Sequence, residues 1–302
     1  MTTKPPAPGS PEWQQYVTAS KVAAILGVSP YESPVSAWLA MRGEHVKTQT
    51  DDMARGHYLE PALLAWWRDR HGVKRSPKHG WAQQTWHTFD HWGAATPDAL
   101  AVAHDVPVIV EAKTSRWDDD WDNDDGGTSI DGVPLYVWVQ CQWQMIVTGR
   151  RLAYVVLLNG RLTFSEYVVP YDDANADQLV ATCRAFWDSV QTGVMPELDG
   201  STATYDALRK RHPDIDKGVE VELTRDEALT LCHTVTHTEQ VQAAERLARS
   251  TVIDKMGRAQ YATHKGVKVA RRQGAARGGV SFVPLPKAAD IILTNEGATH
   301  DQ

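Results

Sequence analysis

Apolar positions recur along the chain with two periods, and the changes of period divide it into elements. From Thr18 to Gly27 small and aliphatic residues crowd one short segment. Thr18 or Ser20 is available as its cap and Gly27 as its terminator, so a short helix is expected. Ser33-Pro34 opens a second helix, with serine as cap and proline at the first helical position, and Gly43 closes it. A longer helical pattern runs from about Met53 to His71, through Ala62-Leu63-Leu64-Ala65-Trp66-Trp67, and stops at Gly72. Proline is tolerated in the first turn of a helix and not in its interior. Pro61 therefore predicts that Glu60 stands at the helix beginning and points toward a sheet.

Between residues 73 and 113 short apolar and polar stretches alternate, punctuated by Gly80, Gly93 and Pro97, which predicts three antiparallel strands. The last is the β-branched run Val108-Ile109-Val110. A helix is expected over 134–149, then a buried strand over 151–159. Asn159-Gly160 is a hairpin turn signal, and 161–169 alternates as the partner strand. A helix over 174–193 completes an α/β unit, a mixed central sheet flanked by helices. The expected organisation is a flexible lead at 1–16, a core at 17–195, a linker at 196–220 and a mostly helical, basic appendage at 221–302. In the appendage, Leu223 to about Ala262 reads as one long helix or two short ones, opened by Thr224 with Glu227 in capping-box spacing. Gly266–Ala270 and Val280–Val283 read as a small hairpin, and the chain from about Lys287 as a disordered tail.

Composition narrows the function classes only in part. The chain has 302 residues, 42% hydrophobic and 23% charged, as in ordinary soluble domains. No apolar run approaches the ~18–20 residues that a membrane span needs. The proline-rich start has no hydrophobic signal core, so a cytoplasmic location is expected. Cys141, Cys183 and Cys232 are far apart and odd in number, which suggests neither a disulfide framework nor a zinc site. The net charge of −7 hides a split: acids gather at Asp118–Asp125 and Glu220–Glu227, bases at Lys265, Lys268, Arg271, Arg272 and Arg277. A nucleic-acid partner needs local positive surface, so the net value does not exclude one. The acidic loop at 114–132 lacks the spacing and closing glutamate of a calcium loop. Trp81, Trp86 and Trp92 are expected to fill core rather than to stack on bases.

The candidate chemistry lies at the end of the predicted strand. In Val108–Lys113 alternation puts Glu111 and Lys113 on one face and Ala112 on the other. Asp98, after Thr96-Pro97, is placed to meet Glu111 across a hairpin. Two carboxylates and an ammonium on one sheet face are costly unless something pairs them. Mg²⁺ would do so through Asp98, Glu111 and the backbone carbonyl of Ala112, and Lys113 would activate water or steady charge on a phosphate. On the helix at 134–149, Gln140 and Gln144 share a face and Gln142 does not.

Pro97-Asp98 and Glu111-Ala112-Lys113 fill, in order, the pattern of the PD-(D/E)xK nucleases, whose core is that of restriction endonucleases. Val17–Val22, Ala24–Tyr31, Ser33-Pro34, Met53–Pro61 and Tyr136–Met145 also resemble, in order, the YqaJ-like viral recombinase family, the lambda-exonuclease-like branch. The resemblance implies a Mg²⁺-dependent DNA exonuclease, with Mn²⁺ able to substitute, acting 5′→3′ on duplex ends. It would leave 3′ single strands for an annealing recombinase, and rings of several copies are known in the family. By the same resemblance Glu60 assists a second metal or its water, Gln140 is the active-site glutamine, and Ser20 holds the 5′ phosphate of the DNA. Trp13 stands where the lambda-like pattern has a phosphate-binding arginine, which leaves Lys21 or Arg55 to supply the charge. Lys268, Arg271 and Arg272 are candidate contacts to the DNA backbone. Some members of the wider superfamily carry an iron–sulfur cluster on four cysteines, which three scattered cysteines cannot supply. Two alternatives stay open: an endonuclease or RecB-like nuclease on this core, and a non-catalytic DNA-binding protein with a decayed nuclease fold.

Overall fold

The computed structural model describes residues 6, 10–44, 50–116, 121, 129–274 and 278–297. Most of the acidic loop (117–120 and 122–128) and Arg277 lie outside the described residues. The chain divides into two compact units, residues 1–215 and 216–302.

The first unit begins with α1 (Pro11–Gln14), β1 (Val17–Thr18), α2 (Ala19–Ile25), α3 (Pro34–Met41) and α4 (Asp51–His71). Then come β2 (Ala82–Gln83), β3 (His87–Phe89), β4 (Gly93–Ala95), β5 (Ala99–Ala103), β6 (Val106–Thr114), β7 (Ser129–Ile130) and β8 (Val133–Pro134). It ends with α5 (Leu135–Thr148), β9 (Leu152–Leu158), β10 (Phe164–Pro170), α6 (Ala176–Thr192) and α7 (Thr202–Arg211).

The main sheet has the order β10-β9-β6-β5-β2, with β6 and β9 parallel and the other pairs antiparallel. It is therefore the expected mixed sheet, and β6 lies at its centre. Val108, Ile109 and Val110 are fully buried because both faces of β6 are covered. Ile109 packs with Val137, Cys141 and Met145 of α5, whereas Val108 and Val110 pack with Leu63, Leu64 and Trp67 of α4. The result is three layers, helix on sheet on helix. A second, small sheet of order β1-β4-β3 packs against a helical cluster built from α2, α3, α5, α6 and α7. It approaches α5 closely: a Cβ on Gly93 would stand 3.0 Å from the Trp143 ring, whose Nε1 donates to Ala94 O at 3.1 Å.

The structure corrects four expectations in this unit. Residues 73–113 hold five strands in two sheets rather than three in one, because His87–Phe89 and Gly93–Ala95 pair with each other and reach back to β1. Pro61 sits in the interior of α4, whose cap is Thr50, so Glu60 lies mid-helix. The carbonyl that loses its partner to Pro61 belongs to His57, and both residues are exposed, so water can satisfy it. The expected lead ends in α1, capped by Ser10. The expected linker contains α7, which buries Thr204 and Ala207 and links Thr204 Oγ1 to Ser33 Oγ at 2.7 Å.

The second unit holds α8 (Arg225–Met256), β11 (Tyr261–His264), β12 (Val267–Gly274), β13 (Val280–Pro284) and α9 (Ala288–Gly297). Thr224 and Glu227 form the predicted capping box, and α8 is one helix. Residues 288–297, expected to be disordered, form a helix that buries Ala288 beside β12; residues 298–302 lie outside the described ones.

Candidate active site

β5 and β6 form a hairpin whose register pairs Ala99 with Val110, so the next residues outward, Asp98 and Glu111, oppose each other. Asp98 Oδ2 accepts the Ala112 N–H at 2.8 Å, which turns the carboxylate onto the end of β6. Glu111 is buried beneath α5 and held from several sides. Its Oε1 receives Lys113 Nζ and Gln140 Nε2, both at 2.5 Å, and its Oε2 receives Gln144 Nε2 at 2.8 Å. Lys113 Nζ also donates to Gln140 Oε1 at 3.0 Å. Glu60 reaches the same end of the sheet from α4, which passes it closely: a Cβ on Gly56 would lie 3.8 Å from Thr114 Oγ1. Gln84 Nε2 donates to Glu60 Oε1 at 3.1 Å, and Gln84 N donates to the Asp98 carbonyl.

The electrostatics of this group are those of a carboxylate cluster short of positive charge. Burial, with the charges of Glu111 and Glu60, holds the Asp98 carboxyl well above the usual aspartate range despite the opposing pull of Lys113. Burial opposes the charge on Lys113, but Glu111 and Asp98 outweigh it and hold the ammonium above its usual range. Lys113 is therefore a cation at neutral pH. With all three carboxyls ionised, Glu60, Asp98 and Glu111 against Lys113 leave two negative charges, the complement of one divalent ion, whose arrival would displace the Asp98 proton. The donors are hard oxygens, which suits Mg²⁺ or Mn²⁺. Among the described residues no three His, Cys, Asp or Glu side chains converge at ligand spacing as they stand. Glu111 Oε1 is held by Lys113 and Gln140, so receiving an ion requires Lys113 to yield that oxygen. By charge and donor type the residues fit such an ion; Asp98, Glu111 and the Ala112 carbonyl are the groups that would hold it.

The structure thus brings together Glu60, Asp98, Glu111, Ala112, Lys113 and Gln140. It adds Gln144 and Gln84, neither of which had a role in the sequence reading. The helical spacing of Gln140 and Gln144 was a visible signal for the first; the second lies outside any motif. Gln142 points elsewhere, spanning Pro170 O and Asp172 N.

The other candidate residues are dispersed in their contacts. Ser20 lies in the first turn of α2, its Oγ 3.2 Å from Thr18 Oγ1. Lys21 is buried, donates to Tyr16 O at 2.7 Å and Trp13 O at 3.3 Å, and lies over the Trp13 ring at 3.8 Å. Burial lowers its pKa to about 7. Its ammonium ties α1 to α2 and is not presented to solvent. Arg55 is exposed and paired to Asp52 at 2.6 Å. In the second unit, the register between β11 and β12 slips by one residue at Val269. That bulge puts Lys268 and Arg271 on the exposed face with Tyr261, where Lys268 lies 4.3 Å from the tyrosine ring. Arg272 falls on the opposite face with buried Ala270 and donates to Gly257 O.

Residues 12–151 match the YqaJ-like viral recombinase domain. That match covers a little under half of the chain and lies wholly within the first unit. The uncharacterized protein YqaJ of Bacillus subtilis (strain 168) is 26% identical over 220 residues, 70% of this chain and 65% of that protein, just under two thirds of its length. Among solved structures, the alkaline exonuclease LHK-Exo of Laribacter hongkongensis aligns with 60% of this chain and 90% of its own, at 20% identity and a TM-score of 0.44. A phage related exonuclease from Haemophilus somnus 129PT aligns with 59% and 96%, at 10% identity and a TM-score of 0.39. The YqaJ-like match spans α1 to the start of β9 and so includes Glu60, Asp98, Glu111, Lys113 and both glutamines that hold Glu111. Among the described residues no helix is long and apolar enough to cross a membrane.

Proposed function

We propose that the YqaJ-like domain is a divalent-metal-dependent deoxyribonuclease, an exonuclease that degrades linear duplex DNA 5′→3′ and leaves a 3′ single strand for an annealing recombinase. The observation that carries this reading is the group at the end of β6: three carboxylates, one ammonium and a net charge of minus two. Asp98, Glu111 and the Ala112 carbonyl would hold Mg²⁺, with Glu60 as an outer carboxylate. When bound, the ion supplies Lewis-acid polarisation of a phosphoryl oxygen and eases deprotonation of water. Gln140 and Gln144 fix the rotamer of Glu111, so that its oxygens are directed before DNA arrives. Lys113, held protonated by its carboxylate neighbours, is suited to steady the charge that develops on the phosphate and not to serve as a general base. The exposed bases Lys268 and Arg271 would contribute contacts to the DNA backbone.

The test is digestion of linear duplex labelled at the 5′ or the 3′ end, beside a closed circle, with Mg²⁺ or with chelator. Stepwise release of the 5′ label from the linear substrate alone, abolished by chelator, is the expected result. Cutting of the closed circle would replace the exonuclease reading with an endonuclease. No hydrolysis of either substrate with Mg²⁺ or Mn²⁺ would leave a DNA-binding protein on a nuclease fold.

A further inference from the structure

The opposite end of the β5–β6 hairpin carries a second polar group, separate from the centre just described. From Asp98 to His104 is six residue steps along β5, roughly 20 Å at the rise of an extended chain. The turn consists of His104 and Asp105, both with positive φ (50° and 64°), as a two-residue hairpin loop requires. Histidine and aspartate enter that region more readily than most residues. The turn sets His104 beside His71, the last residue of α4 before the left-handed Gly72.

His71 is fixed on every side. Its ring stacks on Trp67 at 4.6 Å between centroids and lies 5.0 Å from Tyr154. Its Nε2 meets Glu166 Oε2 at 2.6 Å. A carboxylate only accepts, so that nitrogen carries the proton and Nδ1 of the neutral ring is a bare lone pair. That lone pair faces His104 Nε2 at 3.5 Å, beyond the range of a good hydrogen bond. Two imidazole nitrogens bound to one tetrahedral metal at 2.0–2.1 Å stand about 3.3–3.4 Å apart. A carboxylate on the far nitrogen of a ligating histidine is also the usual way that such a ring is oriented and made more basic.

We propose that His71 and His104 form a two-histidine site for a borderline transition-metal ion, Zn²⁺ or Ni²⁺, with Glu166 as the residue that positions His71. The ion sits off the line between the nitrogens, so both rings tilt slightly to receive it. Among the described residues no third His, Cys, Asp or Glu side chain joins them at ligand spacing, and water completes the coordination. Lys74, Lys78 and Asp105 line the same recess. Imidazole donors disfavour Mg²⁺ or Ca²⁺, which require oxygen ligands, and suit ions that accept nitrogen.

The experiment is equilibrium dialysis of the full chain against Zn²⁺, with excess Mg²⁺ to occupy the oxygen-rich centre. His104→Asn is the main variant because asparagine tolerates positive φ and keeps the turn. The parent is expected to bind one zinc equivalent more than His104→Asn. Glu166→Gln is expected to weaken that equivalent about 10–100-fold, the usual effect of losing an orienting carboxylate. Asp98→Asn should leave it unchanged, so this result and the nuclease reading stand or fall separately. Equal zinc content in the parent and in folded His104→Asn would overturn the proposal and leave a Glu–His ion pair beside a surface histidine.

Discussion

At the scale of single residues, the centre rests on how Glu111 and Asp98 are held. Gln144 supplies the donor to Glu111 Oε2 in a fully buried position. Gln144→Leu should leave that oxygen unsatisfied at a cost of about 1–3 kcal/mol, read as a lower urea midpoint. Lys113→Met should cut hydrolysis by roughly 10²–10³-fold, the scale of losing one stabilising donor, while Mn²⁺ binding measured by calorimetry persists. Asp98 gives a pH signature. Its carboxyl is raised in the folded chain, so the folded state binds a proton that the unfolded state has released. Metal-free stability must then fall as pH rises from the unfolded pKa near 4 through the raised folded value, and stay low above it. Asp98→Asn should therefore melt higher than the parent at pH 8 without metal, with the gap closing below pH 4. Adding Mn²⁺ should raise the parent's midpoint and not the variant's. Asp98, Glu111 and Lys113 were legible because strand alternation across a hairpin fixes which side chains meet, and Gln140 through its likeness to the family's glutamine motif. Gln84 was not, since a left-handed residue (φ 47°) between strands has no sequence signature here.

At the scale of elements, α4 and β12 show where pattern misleads. The sequence placed Glu60 at a helix start because proline belongs there, yet α4 begins at Asp51 and carries Pro61 in its middle. Burial of Leu63, Leu64 and Trp67 under the sheet outweighs the lost hydrogen bond. Pro61→Ala should restore that bond and stabilise the unit by about 1–3 kcal/mol, less than the full cost of an interior proline because the freed chain gains entropy when unfolded. In β12 simple alternation would group Lys268 with Arg272. The bulge at Val269 groups it with Arg271 instead. Replacing Lys268 and Arg271 with glutamine should lower the log–log salt slope of duplex binding by up to ~1.8, at ~0.9 per phosphate contact. Arg272→Gln should leave the slope intact and lower the melting midpoint, because its guanidinium binds the Gly257 carbonyl. A bulge depends on pairing partners far along the chain, which no local pattern reports.

At the scale of the whole molecule, the break between the units falls later than the composition change at Pro196. Residues 213–224 are exposed and form neither helix nor strand, whereas α7 before them packs into the first unit. Brief trypsin treatment should therefore cut at Lys217, and the N-terminal product should keep the Mn²⁺-dependent rise in melting midpoint. The three cysteines divide along the same line. Cys141 and Cys183 are buried in the first unit, and burial pushes both thiols up, that of Cys183 to about 12. Cys232 lies exposed on α8 in the second. One thiol thus answers a maleimide while the protein is folded, and three answer once the first unit opens. Counting adducts by mass is then a clock for that opening alone, and a dye on Cys232 labels the second unit while both thiols of the first stay unmodified.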